Sequence, residues 1–317
     1  MTNRILIATR SFGSTSTKPW DVLNKSGCDI LKADMSIQMD ENRLITLLQG
    51  VDGAIVGVVP LTAYVFSSSP SLRVVSMHGV GVDHIDLDAA AQHGVVIANC
   101  LGTNNQAVAD LAIGLMISVA RTLPKVDRSM REDGWGRFRG TELWKKTLGL
   151  VGYGYIGRTV AKRAMGFDMH VLVSDPYLDL EQADLLGITL VSFEQILQEA
   201  DFLSLHAPLN DETKGMIGID ELQTMKSSAY LINTARGGLV DETALYTALT
   251  QGYIAGAALD VYVDEPPSNS PLLGLDNVVL SAHIGAHTNE AIERMGVMAA
   301  ENVLRVLRGE EPHYQVV

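Results

Sequence analysis

The chain has 317 residues, of which 47% are hydrophobic, and carries a formal net charge of −13. This length suits about two domains of ~150 residues, and the acidic balance argues against nucleic acid and anionic membrane surfaces as partners. No apolar run approaches the ~18 residues that span a bilayer, and the N-terminal run is too short for a signal peptide. The two cysteines, Cys28 and Cys100, have no framework or metal-ligand spacing, so we expect no metal and a reducing, cytoplasmic location.

Short apolar runs alternate with amphipathic stretches over the first 98 residues, which predicts a parallel sheet covered by helices on both faces. The predicted strands are residues 4–8, 28–31, 53–57, 73–77 and 94–97, and the predicted helices are residues 18–26, 40–49, 61–67 and 86–92. Arg10 follows the first strand, and ligands of open α/β sheets bind outside the carboxyl ends of strands. Arg10 is therefore a candidate for substrate binding, with a solvated surface arginine as the alternative.

A glycine-rich turn, His78-Gly79-Val80-Gly81, follows the strand predicted at 73–77. A turn of this kind exposes backbone N–H groups that suit a carboxylate or a phosphate. The alternative is a tight turn that binds nothing. We expect all four residues to contribute to a substrate site.

The composition changes at Asn99, where a connector leads into an apolar pattern over residues 107–120 that predicts one buried helix. Residues 128–140, which include Trp135, are interpreted as an arm or loop before the next strand.

Three glycines, Gly152, Gly154 and Gly157, follow an apolar run at 148–151, and a helical pattern begins at Ile156. The first glycine permits a tight turn, the second lets a pyrophosphate approach the backbone, and the third lets the helix pack closely on the strand. The next apolar run, 169–174, ends at Asp175, whose carboxylate suits a ribose 2′-hydroxyl and repels a 2′-phosphate. This order of elements predicts a dinucleotide site that prefers NAD to NADP, although a surface turn acid is the alternative for Asp175.

The strand–helix alternation continues to the end of the chain. The predicted helices are residues 179–186, 193–199, 241–251 and 288–308, and the predicted strands are residues 201–205, 228–233, 254–260 and 277–281. We therefore predict an α/β protein with two doubly wound parallel-sheet domains: residues 99–287 bind the dinucleotide, and residues 1–98 plus 288–317 form a discontinuous substrate domain.

Three polar segments follow successive strands of the second unit and should converge at its carboxyl edge. They are Asn233-Thr-Ala-Arg236, Asp260-Val-Tyr-Val-Asp-Glu265 and Ser281-Ala-His283. Arginine binds a carboxylate through two hydrogen bonds, histidine is the best general acid or base near neutral pH, and a carboxylate beside it fixes its tautomer. Each residue has a structural alternative, namely an ion-pair partner for Arg236, a turn acid for Glu265 and a core histidine for His283. Together they favour hydride transfer at a hydroxyl or carbonyl carbon.

These motifs resemble the D-isomer-specific 2-hydroxyacid dehydrogenase family, and the resemblance covers nearly the whole chain. It rests on Val80-Gly-Val-Asp83, the glycine fingerprint, His206-Ala-Pro-Leu, Asn233-Thr-Ala-Arg236-Gly, Asp264-Glu-Pro and His283-Ile-Gly. The resemblance implies a catalytic triad of Arg236, Glu265 and His283 and substrate carboxylate contacts from the backbone near Val80 and Gly81. Beyond the three glycines and Asp175, the implied cofactor-binding residues are Tyr155, Ile156, His206, Pro208, Thr213, Thr234, Ala235, Arg236, Asp260, His283 and Gly285.

The resemblance also implies Rossmann-like and flavodoxin-like domains separated by an active-site cleft, hinges near 99–105 and 285–290, and a homodimer formed through the cofactor domain. The implied substrate is a small D-2-hydroxy acid or 2-keto acid, with 3-phosphoglycerate and glyoxylate or hydroxypyruvate as the candidates. Trp135 lies in the arm, where a tryptophan of some family members reaches the active site of the neighbouring subunit; the alternative for Trp135 is a tryptophan buried in the dimer interface. An NADH-sensing co-repressor built on the same fold is the alternative from another functional class.

Overall fold

The computed structural model describes residues 2–132, 134–179, 181, 183 and 188–317. Its contacts divide the chain into two units: unit 1 comprises Met1–Asn104 and Ala286–Val317, and unit 2 comprises Asn105–Gly285. The sequence placed these divisions after residues 98 and 287. The helix predicted at 179–186 falls mainly outside the described residues.

Unit 1 is built on a parallel sheet. Its strands are β1 Arg4–Ala8, β2 Asp29–Lys32, β3 Gly53–Val56, β4 Val74–Met77 and β5 Val96–Ala98. Its helices are α1 Lys18–Asn24, α2 Glu41–Leu48, α3 Ala63–Ser67, α4 Leu87–Gln92 and, from the end of the chain, α11 Asn289–Leu307. The strand order is β2-β1-β3-β4-β5, which is the flavodoxin-like doubly wound arrangement.

Unit 2 is built on a larger parallel sheet. Its strands are β6 Thr147–Val151, β7 His170–Ser174, β8 Thr189–Leu190, β9 Phe202–Leu205, β10 Tyr230–Asn233, β11 Gly256–Leu259 and β12 Val278–Leu280. Its described helices are α5 Asn105–Ala120, α6 Leu123–Arg131, α7 Tyr155–Ala164, α8 Phe193–Glu199, α9 Ile219–Thr224 and α10 Glu242–Gln251. The strand order is β12-β11-β10-β9-β6-β7-β8, so the chain reverses its winding direction between β6 and β9. The predicted fold class is confirmed for both units.

The strands form where the sequence has short runs that are apolar on both faces. In β3, β4, β9 and β11 every residue is buried, as expected for strands covered by helices on both sides. Several helices begin at side chains that accept a hydrogen bond from the first turn. These N-terminal caps are Asp40, Thr62, Asp86, Ser192, Asp241 and Thr288.

The interpretation of 128–140 as an arm or loop is wrong for its first residues, because α6 continues to Arg131. Helix α6 carries a short apolar stripe of Leu123, Val126 and Met130, although none of its residues is buried, and its many polar residues favoured the loop interpretation. An ion pair between Asp127 and Arg131, one turn apart, supports it locally. The sequence also did not predict α9 or the two-residue strand β8.

Among the described residues, no single helix has the length and apolar composition needed to cross a membrane. The bent pair α5 and α6 meets the length and composition criteria only when its two helices, 65° apart, are taken together.

Candidate active site

The carboxyl ends of six strands of unit 2 lie side by side. In Cα register the row runs Ser174, Val151, Leu205, Asn233, Leu259 and Leu280. The predicted cofactor and catalytic segments of unit 2 each continue from one of these positions. The register therefore brings motifs that are far apart in the sequence to one edge, at which such sheets bind their ligands.

The glycine turn between β6 and α7 has two glycines that the chain itself requires. Gly152 has φ +94°, and a Cβ there would lie 2.8 Å from the carbonyl of His206. A Cβ on Gly157 would collide with the carbonyl oxygen of Gly152. By contrast, a Cβ on Gly154 would meet nothing within 4 Å, so open space adjoins the backbone where α7 begins. No side chain caps this helix, whose first residues are Tyr155 and Ile156, and its N–H groups suit a phosphate.

Asp175 is held beside the glycine turn by two backbone amides. One carboxylate oxygen accepts the Tyr153 N–H at 2.7 Å, and the other accepts the Tyr177 N–H at 2.8 Å. Each oxygen can accept a further hydrogen bond, so the group is fixed in place without being saturated. This arrangement suits ribose hydroxyls.

Polar side chains of the loop after β9 form hydrogen bonds with nearby residues of the loop and the strand. The His206 ring Nε2 lies 3.0 Å from the Ser204 hydroxyl, and burial lowers the pKa of His206 to about 4, so the ring is neutral at pH 7. The Thr213 hydroxyl donates to the carbonyl of Pro208 at 2.6 Å. The predicted cofactor contacts of His206, Pro208 and Thr213 stay predictions.

The turn after β10 is shaped by Asn233, which is buried. Its side-chain oxygen accepts the Ala235 N–H at 3.0 Å, and its amide nitrogen donates to the Arg236 carbonyl at 2.8 Å. The guanidinium of Arg236 donates back to the Ala235 carbonyl at 2.6 Å. The Thr234 hydroxyl, in a residue only 8% exposed, has no hydrogen-bond partner among the described residues. A buried polar group normally has a partner, so the orphaned hydroxyl fits a site that binds a polar cofactor.

Asp260 holds the segment that carries His283. It is 1% exposed. One carboxylate oxygen accepts the Ser281 hydroxyl at 2.6 Å and the Ile284 N–H at 2.9 Å. The other accepts the Gly285 N–H at 2.8 Å, and the Asp260 carbonyl accepts the His283 N–H at 2.8 Å. The carboxylate is thus engaged by residues 281–285, a role that the sequence did not predict beside its implied contact with nicotinamide.

His283 and Glu265 are in direct contact. The His283 Nδ1 lies 2.7 Å from one oxygen of Glu265, and the other oxygen accepts the Tyr262 N–H at 3.1 Å. An ionised carboxylate is only an acceptor, so Nδ1 carries the proton and Nε2 is left to exchange one. His283 also has φ +51°, an uncommon backbone conformation that the contacts with Asp260 maintain.

Two further residues support this pair without having been predicted. The Tyr262 hydroxyl donates to the Ser281 carbonyl at 2.8 Å. Burial, and to a smaller extent repulsion by the Asp260 carboxylate, raises the pKa of Tyr262 to about 12. Tyr262 therefore remains a donor at all working pH values. The only signal in the sequence was the position of Tyr262 and Ser281 inside the polar segments.

Five of the predicted substrate residues lie in unit 1, and His78 is the most buried of them. His78 is 8% exposed, its Nδ1 lies 3.1 Å from the Ser11 hydroxyl, and its ring makes a T-shaped contact with Phe12. Burial lowers the pKa of His78 to about 4. The ring is buried, and its Nε2 has no hydrogen-bond partner among the described residues, so contact of His78 with substrate stays a prediction.

The other predicted substrate residues of unit 1 lie at strand ends. Arg10 follows β1, is exposed, and donates through two guanidinium nitrogens to the Met35 carbonyl, with Nε at 2.8 Å. Gly79, Val80 and Gly81 form the half-buried turn after β4. Their contact with substrate stays a prediction.

Comparison with known proteins gives consistent matches. Residues 113–285 match the family model of the D-isomer specific 2-hydroxyacid dehydrogenase NAD binding domain. The chain is 39% identical over 298 residues to the D-3-phosphoglycerate dehydrogenase of Methanocaldococcus jannaschii, covering 92% of this chain. It is 43% identical over 260 residues to the glyoxylate reductase of Korarchaeum cryptofilum, covering 80% of this chain and 78% of that protein. The crystal structure of the TT0316 protein from Thermus thermophilus matches with a TM-score of 0.90 and 36% identity over 99% of this chain and 100% of that one.

The chain spans 57% of the length of the Methanocaldococcus jannaschii protein. The match to the NAD binding domain confirms the cofactor predicted from the glycine turn and the following acid. The chain belongs to the D-isomer-specific 2-hydroxyacid dehydrogenase family.

Proposed function

We propose that this protein catalyses reversible hydride transfer between NAD and a small D-2-hydroxy acid or its 2-keto acid. The observation that carries the proposal is the 2.7 Å contact between His283 Nδ1 and Glu265. That contact leaves Nε2 as an acid–base group at the same sheet edge as the glycine turn.

The side chains divide the chemistry between them. His283 accepts the hydroxyl proton when the acid is oxidised and donates a proton to the carbonyl oxygen in the reverse direction. Glu265 fixes the tautomer of His283 and stabilises the imidazolium that forms. Arg236 binds the substrate carboxylate, for which its permanent charge and planar donors are suited. NAD, when bound, supplies the hydride acceptor.

The proposed cofactor contacts follow from three features of unit 2. The open space at Gly154 and the uncapped start of α7 accept the pyrophosphate. The Asp175 carboxylate accepts ribose hydroxyls and opposes a 2′-phosphate, so we propose NAD rather than NADP. The orphaned hydroxyl of Thr234 gains a partner when the cofactor binds.

For the substrate we favour an unphosphorylated acid of the glyoxylate or hydroxypyruvate type. Arg10 is the only arginine or lysine in the segments 9–11, 57–59 and 78–81 that follow β1, β3 and β4, and it already donates to the Met35 carbonyl. A phosphate is bound most strongly by charge-assisted hydrogen bonds from arginine or lysine, and one engaged arginine offers few of them. D-3-Phosphoglycerate remains the second candidate because the chain is similar to the D-3-phosphoglycerate dehydrogenase of Methanocaldococcus jannaschii. Arg10 would then bind its phosphate.

The test is a steady-state assay of NADH oxidation at 340 nm with glyoxylate, hydroxypyruvate and pyruvate, and of NAD reduction with 3-phosphoglycerate. We expect turnover in wild type, a loss of at least ~100-fold in kcat for His283→Gln, and unchanged NADH binding. The control is His170→Gln, which alters an exposed histidine at the start of β7. NADH binding without turnover of any acid would contradict the enzyme proposal and support the co-repressor alternative.

We also propose that unit 2 forms a homodimer through residues 123–144. This stretch exposes an unusual number of large apolar side chains, with Trp135 71% exposed. The exposed set is Leu123, Met130, Trp135, Phe138 and Trp144. Sedimentation equilibrium should give a dimer for wild type and for Leu273→Glu, an exposed apolar control elsewhere in unit 2, and a monomer for Trp135→Glu. A monomeric wild type would refute the assignment.

The free cysteines, Cys28 and Cys100, fit a reducing compartment. We propose the cytoplasm as the location, which fractionation of cells that express the tagged protein would test.

A further inference from the structure

The turn that follows β4 is held from behind by two hydrogen bonds. The Cys100 N–H donates to the Gly79 carbonyl at 2.8 Å. The side-chain amide of Asn99 donates to the Val80 carbonyl at 2.9 Å. Two successive carbonyl groups therefore point towards the segment Asn99–Cys100.

The direction of these carbonyls fixes the direction of two N–H groups. Both peptide bonds are trans, and in a trans peptide the carbonyl and the N–H of the same group point in opposite directions. The N–H groups of Val80 and Gly81 therefore point away from Asn99 and Cys100. Adjacent N–H groups on one side of a turn form a site for an anion.

Asn99 is itself fixed by its surroundings. Its carbonyl accepts the side-chain amide of Asn302 at 3.0 Å, and its N–H donates to the Tyr314 carbonyl at 3.1 Å. Asn302 lies in α11 and is 0% exposed, and its side-chain oxygen accepts the His313 N–H at 2.9 Å. Helix α11 and the C-terminal residues thus hold Asn99 against the turn.

We propose that Asn99 is a positioning residue for substrate binding, with Asn302 as its support. Its side-chain amide orients the Val80–Gly81 peptide so that the Gly81 N–H, together with that of Val80, faces the substrate carboxylate. The inference rests on the proposed function, because it assigns the carboxylate of the 2-keto acid to this turn. Asn99 needs its amide nitrogen for this role, since an aspartate of the same shape places a carboxylate against the Val80 carbonyl.

The expected effect concerns the affinity for the acid. A hydrogen bond from an N–H to a carboxylate changes affinity by about 10-fold to 100-fold. Asn99→Asp should therefore raise the KM for the keto acid and the Ki for oxamate, a carboxylate inhibitor, by about 10-fold or more. The NADH Kd should stay within about twofold, and kcat should change less than KM, because the acid–base pair is untouched.

The experiment compares wild type with Asn99→Asp, Asn99→Ser and Cys100→Ala. Cys100 is the matched control: its thiol contacts the carbonyls of Met77 and Met295, while its backbone N–H, which the substitution keeps, holds Gly79. We expect Cys100→Ala to leave KM and Ki unchanged even if it lowers the melting temperature. Asn99→Ser supplies a second variant in case the aspartate does not fold.

The outcomes separate the two proposals. Normal turnover in wild type with an unchanged oxamate Ki in both folded Asn99 variants would overturn the inference and leave the proposed function standing. Binding of oxamate without turnover in wild type would remove the proposed function, and the oxamate Kd of the variants would still decide the role of Asn99. If wild type binds no oxamate and turns over no acid, both proposals are wrong.

Discussion

The substitution Asp260→Asn should disable the site without touching the acid–base pair itself. Three donors converge on the two carboxylate oxygens, from the Ser281 hydroxyl, the Ile284 N–H and the Gly285 N–H. Asparagine offers one acceptor oxygen and one donor group, and at 1% exposure water cannot easily replace the missing acceptor. At least one donor must therefore face the NH₂ group.

The magnitude follows from the number of contacts. In its better orientation the asparagine keeps the two hydrogen bonds of one oxygen and loses the one from Gly285, at a cost of about 1.5–3 kcal/mol. The two that remain are no longer charge-assisted and become roughly half as strong, which costs about 1 kcal/mol each. A total of about 4 kcal/mol exceeds the roughly 1–3 kcal/mol of strain stored by a residue such as His283 in the left-handed region. The segment should relax and the contact of His283 with Glu265 should be lost.

Two measurements on the purified variant test this reasoning. We expect kcat to fall by at least ~100-fold and the amides of residues 281–285 to exchange hydrogen faster in the cofactor-free protein. The control is Asp241→Asn, which makes the same change at the N-terminal cap of α10, where aspartate and asparagine are equivalent. Unchanged hydrogen exchange of residues 281–285 together with weaker NADH binding would refute the role of Asp260 in positioning His283. Asp260 would then act on the cofactor alone.

Three further predictions follow. Asp175→Ala should weaken NAD binding more than NADP binding by fluorescence titration, because it removes the acceptor of ribose hydroxyls and the charge that opposes a 2′-phosphate; equal losses would contradict the cofactor assignment. Arg236→Lys should raise KM for the keto acid about tenfold or more with little change in NADH binding, because lysine cannot form the paired hydrogen bonds. For His78 the folded-state pKa, about 4, lies below the unfolded value near 6.5, so its contribution to stability is present above pH 6.5 and is lost as the pH falls. Between pH 7 and 5 wild type should lose about 2 kcal/mol more than His78→Gln in urea unfolding, monitored in a background where Trp20 is the sole tryptophan; parallel pH curves would disprove this.

The strands and their order of appearance could be predicted from the sequence because their pattern is dictated by burial. A strand covered on both faces has a continuous apolar run in its sequence, as in β6 and β11. The predicted bounds of these two strands agree with the observed ones within a few residues. The glycine turn could also be predicted from the sequence. The positive φ of Gly152 and the close approach of its carbonyl oxygen to Gly157 exclude other residues at these two positions.

Other features have a weaker local signature. Helix α6 has three apolar residues at i, i+3 and i+7 but buries none of them, and β8 has two residues, so neither is a continuous apolar run of the kind that marks the core elements. The direction of a side chain is equally hidden. His78 and Arg10 both follow strand ends, and the sequence did not show that His78 is buried beside the Ser11 hydroxyl or that Arg10 donates to the Met35 carbonyl. Which neighbour captures a polar side chain depends on contacts between distant segments.

The residues whose proposed role the sequence indicated differ from those whose structural role it did not indicate. Arg236, Glu265 and His283 are recognisable because acid–base chemistry and carboxylate binding restrict the choice of side chain. Asn233 and Asp260 instead hold the turns that carry these residues, through buried hydrogen bonds to backbone groups. Many polar residues can form such bonds, so the sequence does not single out the ones that do. Asn233 and Asp260 each form hydrogen bonds with backbone groups of the turn that they support. These backbone donors and acceptors are therefore paired, as buried polar groups normally are. A site of this kind therefore depends as much on a buried amide or carboxylate behind each turn as on the exposed group in front of it.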